Sequence, residues 1–433
     1  MKLHKVGALA VASILAFAAC SSPGATTAPA SAAPGATTAP AASSAPASAA
    51  PAADPLGTVT IPAGEPLHIA YWGVLSGADA SLGEDSKQGV EIAIDDLGGK
   101  FKGRDIRLTT EDGLCTPEGG ATAGQKLAAD STLVGLIGSS CSDETVGGIK
   151  SITEAGLTTI SPSNTRPALT APDRDATYAG YARTAHSDAI QGKVAAEFVY
   201  KELKLTKAAT IHDGSGYAEA LQQVFADEFT KLGGTITIQE AVSKGQTDMK
   251  SVLTAVAATK PEFIYFPVFI AEAGFLRSQI SQVPGLENVK TMGADGHFSV
   301  DFIKAAGATA IGHYLSSPDF TAFTAGYQKF LEQRAAKFGG DPLSVFHAHA
   351  YDATNILFAA LDKVAVENAD GSLSIPKGAL RAAIFATKDF KGLTGTLSCT
   401  PTGDCGAPVI AVYEITKANV DSLKLPTVPI WRP

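Results

Sequence analysis

No stretch of this sequence is rich in lysine or arginine, and the chain is acidic, with 34 basic against 43 acidic residues. That balance gives no electrostatic footprint for a nucleic acid or a polybasic grip on a membrane. It also offers no long-range attraction to anions, so any anion site must be local. Cysteine is scarce at five residues. There is no CxxC pair and no histidine at ligand spacing, which argues against a zinc site. HExxH, GxxxxGK(S/T) and GxGxxG are absent, removing the common zinc-hydrolase, phosphate-loop and dinucleotide readings. Gly214-Ser215-Gly216 lacks the spacing of a GxSxG nucleophile elbow. His347 and His349, two apart, point to different sides of a helix, and Asp95-Asp96 reads as a solvated helix end. No catalytic constellation emerges, so the chain reads as a non-enzyme without cofactor or metal.

What is present is a well-buried globular composition, 45% hydrophobic and 18% charged. At 433 residues the chain is too long for one core and predicts two domains. Residues 1–20 form an export leader: a basic start with Lys2 and Lys5, an apolar stretch too short to span a bilayer, then Phe17-Ala18-Ala19-Cys20. Small residues before a cysteine resemble a bacterial lipobox, with Phe17 where Leu is usual, and imply lipidation at Cys20. From 21 to 57 the chain is almost entirely Ala, Pro, Ser, Thr and Gly and predicts a disordered tether. The expected location is extracytoplasmic, held to the outer face of a membrane by lipid or free in a periplasm.

An exported chain permits disulfides. With Cys20 assigned to lipid, Cys115, Cys141, Cys399 and Cys405 allow three pairings. The short Cys399–Cys405 segment favours its own closure as a turn, leaving Cys115 with Cys141.

From about residue 67, short β-rich runs (68–75, 105–110, 133–137, 157–160) alternate with helical patterns (84–97, 117–129, 142–155). The rhythm restarts after Ala185 and runs to about 306. Long helical patterns at 322–338, 345–364 and 376–386 follow, then short strands at 395–398 and 408–413. Alternating units predict parallel sheets with crossover helices. The expected fold is α/β, two doubly wound lobes joined by several chain crossings: 67–184 with 318–394, and 185–317 with 395–420. Ligands bind beyond the carboxyl ends of such strands, so the site belongs in the cleft.

Three residues stand out there. Ser142 opens a helix after a strand, where backbone N–H groups and the helix dipole make a local anion site; it equally reads as an N-cap of that helix. Asp143 and Glu144 follow, and they must point away from a bound anion. Tyr217 starts a helix after a strand and could close over a ligand. Asp295 ends a strand and can meet an ammonium through a charge-assisted bond.

The pieces Gly73-Val-Leu-Ser-Gly77, Leu82-Gly-Glu, Ile137-Gly-Ser-Ser-Cys-Ser142, Ile160-Ser-Pro-Ser-Asn-Thr165, His212-Asp-Gly-Ser-Gly-Tyr217, Gly293-Ala-Asp-Gly296 and Ala350-Tyr-Asp-Ala353 occur in this order. Together they resemble the branched-chain amino-acid-binding proteins of bacterial ABC transporters, type I periplasmic binding proteins. The resemblance covers about 67–413 and implies a disulfide at Cys115 and Cys141. It implies that Ser142, Ser163 and Thr165 hold one end of a ligand, and that Tyr217 and Asp295 complete the cage from the other lobe. Leu82 and Phe269 match positions around the ligand side chain and favour an aliphatic one, while Asn164 could admit a polar one. The implied protein is a monomer that captures a small α-amino acid and passes it to ABC permease subunits. Rival readings are an amide, urea or aromatic-acid ligand, or a sensor for a membrane partner.

Overall fold

The computed structural model describes residues 53–433. The leader, Cys20 and the tether up to residue 52 lie outside the described residues. Residues 54–57, expected in the tether, belong to the body: the Asp54 carboxylate accepts from the amides of Gly378 and Ala379 at 2.9 and 3.0 Å. The first strand is Thr58–Ile61, antiparallel to Leu373–Pro376, ahead of the expected start near 67. Its exposed–buried alternation is only four residues long and follows a Pro-rich run that masks it.

The first lobe is built on a six-stranded sheet in the order Lys100–Phe101, Arg104–Asp112, Leu67–Gly73, Leu133–Gly138, Thr159–Ser161, Tyr181–Arg183. It is parallel apart from the hairpin at its edge. Every residue of Leu67–Gly73 is buried. Leu67, Ile69 and Tyr71 enter one core while Ala70 and Trp72 enter another, the period-2 pattern of a sheet covered on both faces. The second lobe repeats the plan with Ile410–Glu414, Tyr314–Pro318, Lys290–Gly293, Phe263–Tyr265, Lys207–His212 and Thr235–Ala241. Only its Ile410–Glu414 edge is antiparallel. Phe225 and Phe229, one turn apart on helix Gly216–Lys231, stack with each other, and Phe225 stacks on Tyr265 at 4.3 Å.

Two of these strands escape the sequence pattern. Tyr181–Arg183 has three residues, and Tyr314–Pro318 carries two serines and a proline that read as a turn. Both precede a chain crossing between lobes. The chain crosses after Arg183, after Pro318, and between Cys405 and Ile410. The first and third crossings are joined by Arg183 N–H to Gly403 O (2.8 Å) and Cys405 N–H to Arg183 O (2.9 Å). Asp319 N–H joins the second crossing to Val409 O in the third (2.8 Å). The fully buried Arg183 guanidinium pins this hinge by bonding Asp404 at 2.7 Å and the carbonyl of Arg166 at 3.0 Å.

Both disulfides form as expected, Cys115–Cys141 and Cys399–Cys405. The first ties the N-terminal ends of helices Pro117–Ala129 and Ser142–Glu154. Those helices approach closely because a Cβ at Gly124 would lie 2.6 Å from the backbone of Gly148. Among the described residues no helix is long and apolar enough to cross a membrane.

Chain-entropy loss scales with loop length, so the bridge spanning 26 residues stabilises more than the one spanning 6. Serine at both Cys115 and Cys141 is expected to cost about 3.5 kcal/mol, and at Cys399 and Cys405 about 2 kcal/mol, in urea unfolding. A larger loss from the second pair would contradict this ordering.

Candidate ligand-binding site

A small, largely closed cavity lies where the lobes meet. The first lobe supplies Leu82, Ser140, Ser142 and Ser163, the second Tyr217, Phe269 and Asp295, with Phe346 completing the wall. Six of the seven residues singled out from sequence thus face one space. The seventh, Thr165, sits outside the cavity wall, buried, with its hydroxyl beside the Asp188 carboxyl.

On the first lobe, strand Leu133–Gly138 leads into helix Ser142–Glu154. Cys141 occupies the N-cap, so the Ser142 hydroxyl is not used to cap its own helix. The helix's first amides have no intrahelical acceptor. Neither acidic neighbour lines the cavity. Glu144 turns back, accepting from Cys115 N–H at 2.9 Å and from Ser140 and Cys141 N–H at 3.0 and 2.9 Å. Burial pushes its carboxyl up to about 7, against the pull of those amides. Asp143 reaches across the cleft to Gly216 N–H at 2.9 Å and lies 3.8 Å from the Arg166 guanidinium. Ser163 Oγ donates to Ser140 O at 2.8 Å.

Asn164 does not line the cavity. Its Oδ1 accepts from Thr145 Oγ1 at 2.6 Å and its Nδ2 donates to Ser139 O at 3.1 Å, fully buried outside the cavity wall. An amide at that depth needs several partners, and it finds them in the backbone and hydroxyls of its own lobe.

On the second lobe, Ser215 caps helix Gly216–Lys231, which places Tyr217 in the first turn. The Tyr217 ring packs 5.2 Å from Phe269. Its hydroxyl donates to Asp295 Oδ1 at 3.3 Å and accepts from Gly296 N–H at 3.2 Å. Asp295 opens a tight turn after strand Lys290–Gly293. That turn is anchored by His297, whose Nδ1–H donates to Val268 O at 2.8 Å and whose Nε2 meets His313 at 3.0 Å. Burial holds the Asp295 carboxyl above its usual range, opposed by His186 and by bonds from Gln191 and Tyr217.

Two further residues of this cluster were not legible in the sequence. Gln191 donates to Asp295 Oδ1 at 2.6 Å and to Ser316 O at 3.0 Å, so its Oε1 accepts from His186 Nε2 at 2.7 Å. Asp188 is the other. It begins helix Asp188–Glu197 immediately after the first crossing and is fully buried, with the Thr165 hydroxyl beside its carboxyl and no basic side chain bonded to it. Burial, and then the charge of Asp295, raise its pKa well above the usual value. The Tyr265 hydroxyl, raised by burial and then by the charges of Asp188 and Asp295, lies beside the Ser316 hydroxyl. From sequence, Ser187-Asp188 reads as an ordinary capped helix start, where an acid needs no ligand.

The cavity therefore has a donor-rich end on the first lobe and an acidic end on the second, with Leu82, Phe269 and Phe346 between. His347 is not a metal ligand, because Nδ1 meets Asp85 at 2.9 Å and Nε2 meets Tyr327 at 2.7 Å. Among the described residues no cluster of three or more metal-ligating side chains occurs.

The family model for periplasmic binding proteins matches residues 66–418. The chain is 26% identical over 355 residues to "Leu/Ile/Val-binding protein homolog 3" of Brucella melitensis, covering 81% of this chain and 91% of that one. A substrate-binding protein of the branched-chain amino acid transporter of Streptococcus pneumoniae, solved with isoleucine, superposes with a TM-score of 0.71 at 23% identity, covering 85% of this chain and all of the other. A solute-binding protein from R. palustris solved with benzoate superposes at 0.69 with 21% identity, covering 85% and 98%. At those identities the two structures share the two-lobed fold.

Asp188 yields a test that needs no ligand. A carboxyl whose folded-state pKa exceeds its unfolded value weakens the fold as pH rises through the folded value. Ligand-free Asp188→Asn is expected to exceed the parent in stability by about 1–3 kcal/mol at pH 8, and the two should converge near pH 4. Identical unfolding curves at both pH values would contradict a buried carboxyl with no cationic partner.

Proposed function

The chain belongs to the periplasmic binding protein family, a family of solute-binding proteins and not enzymes, and on that premise we propose that it captures an α-amino acid with an aliphatic side chain. The observation that carries this reading is one cavity with a helix N-terminus at one end and the buried Asp295 carboxyl at the other, with Asp188 buried near Asp295 outside the cavity wall. An α-amino acid presents the complementary groups. Its carboxylate accepts from the first amides of the Ser142 helix, with the Ser142 hydroxyl beside them. Its ammonium lies against Asp295 and Asp188, converting two costly buried carboxyls into charge-assisted partners. Leu82, Phe269 and Phe346 enclose the side chain, and the Tyr217 ring closes over it.

Capture proceeds by population shift. The three crossings form the hinge, and a ligand that bridges both lobes favours the closed arrangement by its differential contacts. Cys20 lipidation would hold the body outside the membrane, and delivery to an ABC permease follows the role of transporter-associated relatives. The benzoate-bound neighbour motivates a second reading, a carboxylate ligand with no ammonium. Such a ligand leaves Asp188 and Asp295 without a cation.

The two readings differ in proton linkage. Ammonium binding requires both carboxyls ionised, and both are held high by burial, so affinity for an amino acid should rise from pH 5 to pH 8. A carboxylate-only ligand favours the protonated pair and should show the reverse. In calorimetry with branched-chain amino acids, Asp295→Ala is expected to abolish detectable binding. Parent-like affinity in that variant, or affinity that falls as pH rises, would overturn the amino-acid assignment.

A further inference from the structure

Asp143 stands at a place where both lobes offer a helix N-terminus to the same carboxylate; Asp79, which accepts from Ile270 N–H at 3.2 Å, marks a second such seam. Asp143 lies in the first turn of helix Ser142–Glu154, where an acid is favoured by its own helix dipole. Its Oδ2 accepts from Gly216 N–H at 2.9 Å, and Gly216 is the first residue of helix Gly216–Lys231 in the opposite lobe. That helix has 16 residues and its cap, Ser215, already accepts from Ala218 N–H, so the Gly216 amide is free for a partner outside the helix. Arg166 lies 3.8 Å from Oδ1 and balances the charge. A Cβ at residue 216 would fall 2.5 Å from Arg166 Nη1 and 2.6 Å from Asp143 Oδ1, so the absence of a side chain there is what lets the lobes meet this closely. Tyr217, the next residue, carries the hydroxyl that bonds Asp295.

We propose that Asp143 is a positioning residue that latches the lobes shut: it holds the start of the Tyr217 helix against the first lobe and thereby sets how long a captured ligand stays. This rests on the lobe-closure reading above. Asp143 lies outside the cavity wall, so its contribution comes through the closed population and not through ligand contact. A ligand that binds an opened protein pays the closure cost from its own affinity, so weakening the latch accelerates release while encounter is unchanged.

The test uses the mature chain with one spin label on each lobe, and stopped-flow release of a bound amino acid. Asp143→Ala is expected to lower the ratio of closed to open molecules about tenfold without ligand, as expected for losing one charge-assisted hydrogen bond. It should speed ligand dissociation by a similar factor and leave the association rate within twofold of the parent. Asp143→Asn, whose amide oxygen still accepts, should fall between the two. Gly216→Ala should act in the same direction with an unchanged or raised unfolding midpoint, since alanine favours a helix, which separates the latch from folding. Lobe-distance distributions and release rates matching the parent in both Asp143→Ala and Gly216→Ala would overturn the proposal. The distance measurement needs no ligand, so failure of the amino-acid assignment and failure of the latch give different results.

Discussion

A carboxyl group buried without a cationic partner is destabilising, and the organisation of the cleft turns on one. Asp188 is fully buried with only the Thr165 hydroxyl beside its carboxyl, and the charge of Asp295 raises its pKa further. Neutralising the pair with an arginine would have been the ordinary solution. Instead the nearby Arg183 is committed to Asp404 and the hinge, and Arg166 faces Asp143.

The remaining architecture supports that arrangement. Parallel strands buried on both faces direct their carboxyl ends toward the cleft from each side. The hinge strands place Asp188 where the chain first enters the second lobe. The turn bearing Asp295 is fixed from behind by His297 and from the side by Gln191, so its carboxylate is preorganised and not free to swing toward solvent. The first lobe presents neutral donors. Its two acidic residues in the first turn of the Ser142 helix are removed from the cavity in different ways, Glu144 into the disulfide loop and Asp143 across the seam. A net acidic protein thereby keeps its acidic side chains off this wall of the cavity.

Much of this was legible in the sequence. The switching period of 2 and 3.6 showed two doubly wound lobes, and the ordered motif pieces placed Ser142, Tyr217 and Asp295 at strand ends in a shared cleft. Three kinds of information were not. The strands at 58–61, 181–183 and 314–318 are too short, or too rich in Ser and Pro, to show a period, although two of them lead directly into hinge crossings. Asp188 was hidden because an acid after a serine is the commonest way to begin a helix, and only burial distinguishes it. The direction of Asp143 and the internal bonding of Asn164 depend on contacts across 73 and 25 residues of chain, which no local pattern encodes.

The central claim is that the paired carboxyls of the second lobe receive an ammonium while the Ser142 helix receives a carboxylate. The most direct measurement is a crystal structure of the body with the amino acid that most raises its unfolding midpoint. The account predicts the ligand nitrogen within hydrogen-bond distance of both Asp188 and Asp295, and the ligand carboxylate on the first amides of the Ser142 helix. A ligand lying in the reverse direction, or one that touches neither carboxyl, would contradict it.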